Sequence, residues 1–250
     1  MSDNAQNNKR IAKNTIILYI RMIVMMAISF YTTRVILEAL GVDDYGIYNV
    51  VGGLVAMFSL ISSSLSGSTS RFITFGLGKG DKAELRKIFA ASVNINIILA
   101  IIVILAIETI GVWFLNNRMT IPADRLDAAN WVLHCSTITF AAGLLSVPYN
   151  ASIIAHEKMS AFAYMTIFDA VAKLAIALGV KFYGGDKLIL FAVLNIIPII
   201  ISQIIYWQYC KRKFEECTYH RGWDNKIFKE IGGFALWNFI GCTAGTMKDQ

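Results

Sequence analysis

Charge is scarce in this sequence. Asp, Glu, Lys and Arg supply 16 % of its 250 residues, against roughly a quarter in an ordinary soluble domain. Polar, turn-rich stretches of the kind that separate strands in an α/β core are few, which argues against one large buried sheet. The four cysteines, Cys135, Cys210, Cys217 and Cys242, form no CxxC pair and no Cys/His cluster, so they are read as small hydrophobes with no redox or metal role. There is no HExxH, no GxSxG and no phosphate-cradling GxxxxGK. The longest soluble stretch, 210–229, is too short for a catalytic lobe. An enzyme is therefore not expected, and neither a metal nor a cofactor is called for.

What is present is grease. Hydrophobic residues make up 56 % of the chain and the mean hydropathy is +0.55, the composition of a membrane protein. A helix needs about 20 mostly apolar residues to cross about 30 Å of hydrocarbon. Six such runs stand at 15–33, 45–66, 88–115, 128–155, 160–182 and 188–209, with a seventh at 230–247. The expected fold class is thus all-α, a polytopic membrane helix bundle. The expected organisation is a tail at 1–14, a six-helix bundle at 15–209, a basic connection at 210–229 and the start of further helices at 230–250. Pro148 and Pro198 fall inside the fourth and sixth runs and predict kinks there. The opening "MSDNAQNNKRIAKN" lacks the apolar core and cleavage site of a secretory signal, so the first run is read as an uncleaved anchor.

Lys and Arg set the orientation. One side holds Lys9, Arg10 and Lys13, then Lys79, Lys82, Arg86 and Lys87, then Lys158, then the basic connection after 210; the other holds Arg34, Arg118, Arg125, Lys181 and Lys187. The N-terminus and the even-numbered connections are expected in the cytoplasm. The same bias explains the net charge of +6 without nucleic acid, and none is expected as a partner. The connection "CKRKFEECTYHRGWDNKIFKE" also reads as an amphipathic helix lying on anionic membrane lipid.

Ionisable groups inside spans carry a functional hypothesis by default, each costing about 2.5–3.5 kcal/mol at mid-helix on insertion scales. They are Arg21, Glu108, Asp169 and Lys173, with Arg34 and Arg71 near helix ends. Asp169 and Lys173, spaced i, i+4, share a face and either neutralise each other structurally or serve function. Glu108 and Asp169 are the candidates for proton or sodium coupling; Glu108 alternatively reaches the interface or pairs with a cation on a neighbouring helix. Arg21 lies about 9 Å into its span at 1.5 Å per residue and either snorkels or looks into the bundle. Asn14, Arg21 and Thr32 fall within about 20° of one line at 100° per residue, with Ser29 beside it, which suits a cavity or bundle interior. The serine run "SLISSSLSGSTSR" and the Gly46/Gly53 and Gly241/Gly245 spacings read as close helix packing.

Three stretches carry a resemblance. "TTRVILEALGVDDYGIYNVVGG" resembles the first outer loop of bacterial polysaccharide-biosynthesis transporters, "SLSGSTSRFITFGLGKGD" the end of their second helix, and "SVPYNASIIAHEKMSAFAY" their fourth-to-fifth helix turn. The family is that of O-antigen and lipid-linked oligosaccharide flippases, within the multidrug/oligosaccharidyl-lipid/polysaccharide exporter superfamily. Its members carry two bundles that rock about a central cavity, and "GGFALWNFIGCTAGTMKDQ" resembles the start of the second, so one bundle plus a stub is expected. The resemblance implies a cargo of oligosaccharide on a polyprenyl pyrophosphate, flipped across the bacterial inner membrane for cell-surface polysaccharide and lipopolysaccharide synthesis, with polymerase or glycosyltransferase partners. It implies that Arg21, helped by Arg34 and Arg71, grips the pyrophosphate through guanidinium forks, and that Asn49 and Ser63, in the Ser62–Ser64 region, line the path. A multidrug or metabolite antiporter of the same superfamily, or a non-transporting scaffold of a polysaccharide assembly complex, are the alternatives.

Overall fold

The computed structural model describes residues 2–218 and 224–248, and side chains within 8–218 and 224–241. Among them every regular element is helical: α1 (Ser2–Leu40), α2 (Val42–Ala56), α3 (Ser59–Lys79), α4 (Lys82–Ala106), a π segment (Ile107–Gly111), α5 (Val112–Arg118), α6 (Leu126–Ala155), α7 (Met159–Lys181), α8 (Lys187–Leu194), α9 (Ile196–Lys213) and α10 (Asn225–Lys248). Among the described residues five helical runs are long and apolar enough to cross a membrane, and six if the bent pair α2–α3 counts as one span.

The helix boundaries follow local chemistry. Gly41, at φ +82°, is the whole joint between α1 and α2, where the sequence suggested a loop. Only a residue without Cβ takes that backbone conformation at little cost. Gly80, at φ +73°, ends α3, and Asp81 starts α4 by accepting from the backbone N–H groups of Ala83 (2.9 Å) and Glu84 (3.1 Å), an N-cap. Asp186 caps α8 in the same way through Leu188 and Ile189.

The structure differs from the sequence expectations at several places. The tail expected at 1–14 is helical and continuous with the first span, α1 running unbroken from Ser2. The second span extends well past 45–66 and bends by 45° at Met57–Phe58, between Gly52–Gly53 and the serine run, with no proline there. Helix α6 continues through Pro148, whereas the sixth run breaks at Asn195, three residues before Pro198, which has no N–H to donate to the carbonyl one turn earlier and whose ring crowds that carbonyl. The described part of the connection after α9 is no surface helix: Phe214, Glu216 and Cys217 are buried around the turn Glu215–Cys217; residues 219–223 lie outside the described part, and α10 begins at Asn225.

Helix α6 is the axle of the bundle, packed by α2, α3, α4, α8 and α9. Small residues along it, Ala128, Ala129, Ala151 and Ser152, are almost fully buried. That is how helices associate in lipid, where close backbone approach replaces the hydrophobic drive. Gly76 does the same on α3, since a Cβ there would lie 3.0 Å from Leu85 and 3.2 Å from Ile88. Gly46, Gly53 and Gly241 do not, for added Cβ atoms would meet nothing within 4 Å. Helix α1 stands outside this core and packs mainly on α7, in parallel. Arg10 pairs with Glu157 before the start of α7, and Glu38 with Lys181 at its end. Its other face shows Tyr19, Ile20, Ile23 and Phe30 outward. The end where α1, α4 and α7 begin is called the basic end below, the opposite one the far end.

Candidate functional site

The face of α1 that meets α7 comprises Asn14, Leu18, Arg21, Met25, Ile28, Thr32 and Val35, all buried or half-buried, while Ser29 is exposed. Arg21 therefore points into a helix–helix seam. Its Nη1 donates to Thr166 Oγ1 at 3.5 Å, and the guanidinium sits 4.7 Å from the Phe162 ring centroid, a cation–π geometry. Both partners belong to the first two turns of α7, so the charge lies about 10 Å from that helix's start at 1.5 Å per residue. Nε of Arg21 is buried without a partner.

The seam continues toward the far end. One turn beyond Thr166, Asp169 Oδ2 accepts from Lys173 Nζ at 2.9 Å, while Asp169 Oδ1 is buried and unpartnered. On the neighbouring α9, Tyr206 is buried. Asn150 Oδ1, Ser202 Oγ and Thr32 Oγ1 are also buried without partners. Buried polar atoms that lack protein partners are ordinarily met by water or by a ligand; five of the seven among the described residues lie on α1, α6, α7 and α9 and mark a polar interior there, the other two being Thr69 Oγ1 on α3 and Asn96 Oδ1 on α4. Lys173 and Thr32 then open onto a cavity of about 350 Å³ whose lining also includes Tyr48, Ser136, Thr139 and Asn195. Lys173 is the charged residue in that lining.

The other sequence candidates do not join this seam. Arg34 is exposed near the far end of α1, one turn from Glu38, and about 20 Å along the helix from Arg21 at 1.5 Å per residue. Arg71 stacks 4.5 Å above the Phe234 ring of α10. The three arginines thus sit at separate interfaces and form no common fork. Asn49 is exposed and donates back to the Tyr45 carbonyl (2.8 Å); Ser63 is exposed and donates to Leu60 (2.9 Å). Ser64 is the packing serine, donating to the Ala235 carbonyl at 2.6 Å, and Asn238 donates back to the Ser64 carbonyl at 3.2 Å.

Glu108 lies in the π segment, and its carboxylate is 2.9 Å from His134 Nδ1 on α6. A π turn inserts one residue and re-aims side chains, often at functional positions. Sequence reasoning missed His134. It also missed Arg125, whose guanidinium holds Asp44 through two bonds, one of them Nε to Oδ1 at 2.8 Å, and Asp186 through a third at 2.8 Å. This clamp joins the starts of α2, α6 and α8 beside a far-end cavity of about 710 Å³. The signal was a lone arginine heading a helix on the side poor in cations, opposite the adjacent Asp43–Asp44. At the basic end Lys82 holds Glu215 at 2.8 Å, and His156 bonds to Glu216 while stacking on Phe214. Among the described residues no three His, Cys, Asp or Glu side chains converge as metal ligands.

No family model matches the sequence, and no curated protein matches it either. Solved structures do. One is a MATE transporter in the straight conformation, at TM-score 0.80 and 13 % identity over 96 % of this chain and 54 % of that one. A second is an outward-facing multidrug resistance MATE transporter of the MOP superfamily, at 0.75 and 14 % over 91 % and 52 %. A third is a MOP superfamily transporter from Pyrococcus furiosus, described as having a binding pocket of reversed polarity that suggests a different function, at 0.75 and 13 % over 91 % and 52 %. The chain has the fold of these membrane transporters, a polytopic all-helical bundle, and spans about half their length.

Proposed function

We propose that this chain is a bundle of a transporter that moves a lipid-linked, pyrophosphate-bearing oligosaccharide between leaflets. The observation that carries this reading is the sign of the interior charge. Between the ion pairs at its two ends, and among the described residues, the α1–α7 seam holds Arg21 and Lys173 against Asp169, and the cavity beside it carries an ammonium, hydroxyls and an amide within a largely apolar lining. Cations in a low-dielectric interior favour an anionic guest, and hydroxyl and amide groups suit sugar hydroxyls. In this reading Arg21, on its own interface, meets the phosphate, with Arg34 and Arg71 at separate stations along the route and Asn49 and Ser63 beside it. Glu108 and Asp169 are the candidates for ion coupling. The setting is a bacterial inner membrane with the basic end in the cytoplasm, where the cation bias of the connections favours it. A polymerase or a glycosyltransferase would be a neighbour.

A multidrug antiporter is the second reading, favoured by the description of the outward-facing structural relative. It calls for an interior of opposite sign. The test is polysaccharide export in cells whose own copy of the gene carries Arg21→Ala, Arg21→Glu or Arg21→Lys. Loss with Ala and Glu and an intermediate level with Lys is expected, because Lys keeps the charge and loses the fork. Normal export from stably inserted Ala and Glu variants, or drug sensitivity in their place, ends the pyrophosphate reading.

A further inference from the structure

We infer that Asp169 is a built-in stand-in for the anionic group of the cargo: its carboxylate holds the Lys173 ammonium until a phosphate in the adjoining cavity takes that ammonium over. The inference rests on the reading that the cargo is anionic, and it assigns Asp169 a specificity role that an ordinary intrahelical ion pair does not have.

The pair's geometry separates the two partners. Lys173 lines the cavity with Thr32, Ser136, Thr139 and Asn195, whereas Asp169, one turn nearer the basic end, does not line it. The ammonium can therefore reach a guest without the carboxylate moving into the cavity. A lysine is suited to the exchange, being a point charge on a four-carbon stem with rotatable donors. Residues at i and i+4 also travel together on one helix, so swapping partners requires side-chain rotation alone.

The bonding is incomplete in a way that a purely structural bridge is not. An ion pair withdrawn from water is stabilising only to the extent that its remaining lone pairs and protons are satisfied, and this one is partly withdrawn, the Lys173 side chain 44 % and the Asp169 side chain 27 % exposed. Here Asp169 uses one oxygen on Lys173 and buries the other without a partner, and Arg21 buries Nε without a partner on the same seam. When Lys173 turns to a phosphate, the freed carboxylate has a guanidinium with unused donor capacity to move toward. The exchange leaves neither Lys173 nor Asp169 without a counter-charge. It also keeps the guest's net binding weak, as a carrier that must release its cargo requires.

The experiment is binding of inorganic pyrophosphate to the purified chain in nanodiscs of zwitterionic lipid, followed by calorimetry. Removing the internal competitor with Asp169→Asn should tighten binding by at least about fivefold, the lower range of coupling between sites. Asp169→Glu, which keeps the competitor, should stay near the wild type, and Lys173→Met should abolish binding in either background. Should Asp169→Asn fail to insert, Asp169→Ser makes the same comparison. If the wild type binds and Lys173→Met does not, yet Asp169→Asn is no tighter, the stand-in role is overturned and the anionic reading survives. If neither the wild type nor Asp169→Asn binds, or if Asp169→Asn instead loses binding of the cationic dye ethidium, both fall together.

Discussion

Replacing Arg125 with Met should cost this bundle more than any other single loss of charge at its far end. Arg125 bridges Asp44 on α2 and Asp186 at the cap of α8, and the Asp44 side chain is only 10 % exposed while those of Arg125 and Asp186 are 30 % and 33 % exposed. Breaking a fully buried pair costs about 3–5 kcal/mol, because a bare charge is left behind, and an exposed pair is worth at most about 1 kcal/mol. With one partner buried and two partly wet, the loss falls at about 2–3 kcal/mol, between these limits. For a chain of this length that is a fall in Tm of about 5–10 °C, readable by a thermal scan in detergent at a fixed rate. The sign of the coupling is the sharper test. If the cost comes from a stranded Asp44 carboxylate, Asp44→Asn added to Arg125→Met should recover part of the lost stability, not lower it further. A single variant within about 2 °C of the wild type, or a double variant that is additive, refutes the reasoning.

Three further outcomes follow from the contacts. Glu108→Gln and His134→Phe should be non-additive by about 0.5–1.5 kcal/mol, the range measured for polar contacts between membrane helices, in a double-mutant cycle on unfolding; additivity would mean the pair contributes nothing. Ser64→Ala should loosen α10 from α3 by a similar amount, about 0.5–1.5 kcal/mol, whereas Ser63→Ala, next in sequence but bonded only to its own turn, should leave the thermal transition unmoved. At the basic end the Lys82 ammonium, first by its hydrogen bond and then by its charge, holds the Glu215 carboxyl below its ordinary value near 4.5. The unfolded chain then takes up a proton more readily there, so the contact's small contribution is complete above pH 4.5 and fades as pH falls through the lowered value. Comparing wild type with Glu215→Gln from pH 3 to 7, Tm should converge at the acid end; a difference that persists or grows there contradicts the assignment.

The spans were legible because hydrocarbon thickness imposes its length on any chain that crosses it, and the runs from 88, 128, 160 and 188 fall within the apolar helical stretches Lys82–Arg118, Ala123–Ala155, Met159–Lys181 and Lys187–Lys213, the last broken at Asn195. Where hydropathy was the wrong guide, the reason is local. Residues 2–14 are polar but free of helix breakers, so α1 continues through them. The Gly41 joint replaces a loop because one left-handed residue suffices to turn the chain. The bend at Met57–Phe58 carries no proline and gave no signal. Side-chain partners were the least legible part. Arg21 with Thr166, Arg125 with Asp44 and Ser64 with Ala235 are separated by 145, 81 and 171 positions. Nothing in helical periodicity says which faces of distant helices will meet.

The distribution of satisfied and unsatisfied polar groups separates holding from handling. At the far end Arg125, Asp44 and Asp186 close on one another, and at the basic end Lys82 with Glu215 and His156 with Glu216 do the same. These contacts fix helix ends, and fixing is served by complete bonding. Between them, Arg21, Asp169, Asn150, Ser202 and Thr32 each keep a buried polar atom unbonded, a costly condition in a low-dielectric interior. Had that seam served only to pack α1 on α7, aliphatic side chains would stabilise it at least as well. Its incomplete bonding is reasonable if another polar species completes it during the working cycle. A clamp residue exchanged for an apolar one should therefore lower stability, while Arg21 or Asp169 so exchanged should lower function and leave the thermal transition unchanged or raised. The reverse pattern would move the working site to the bundle's ends.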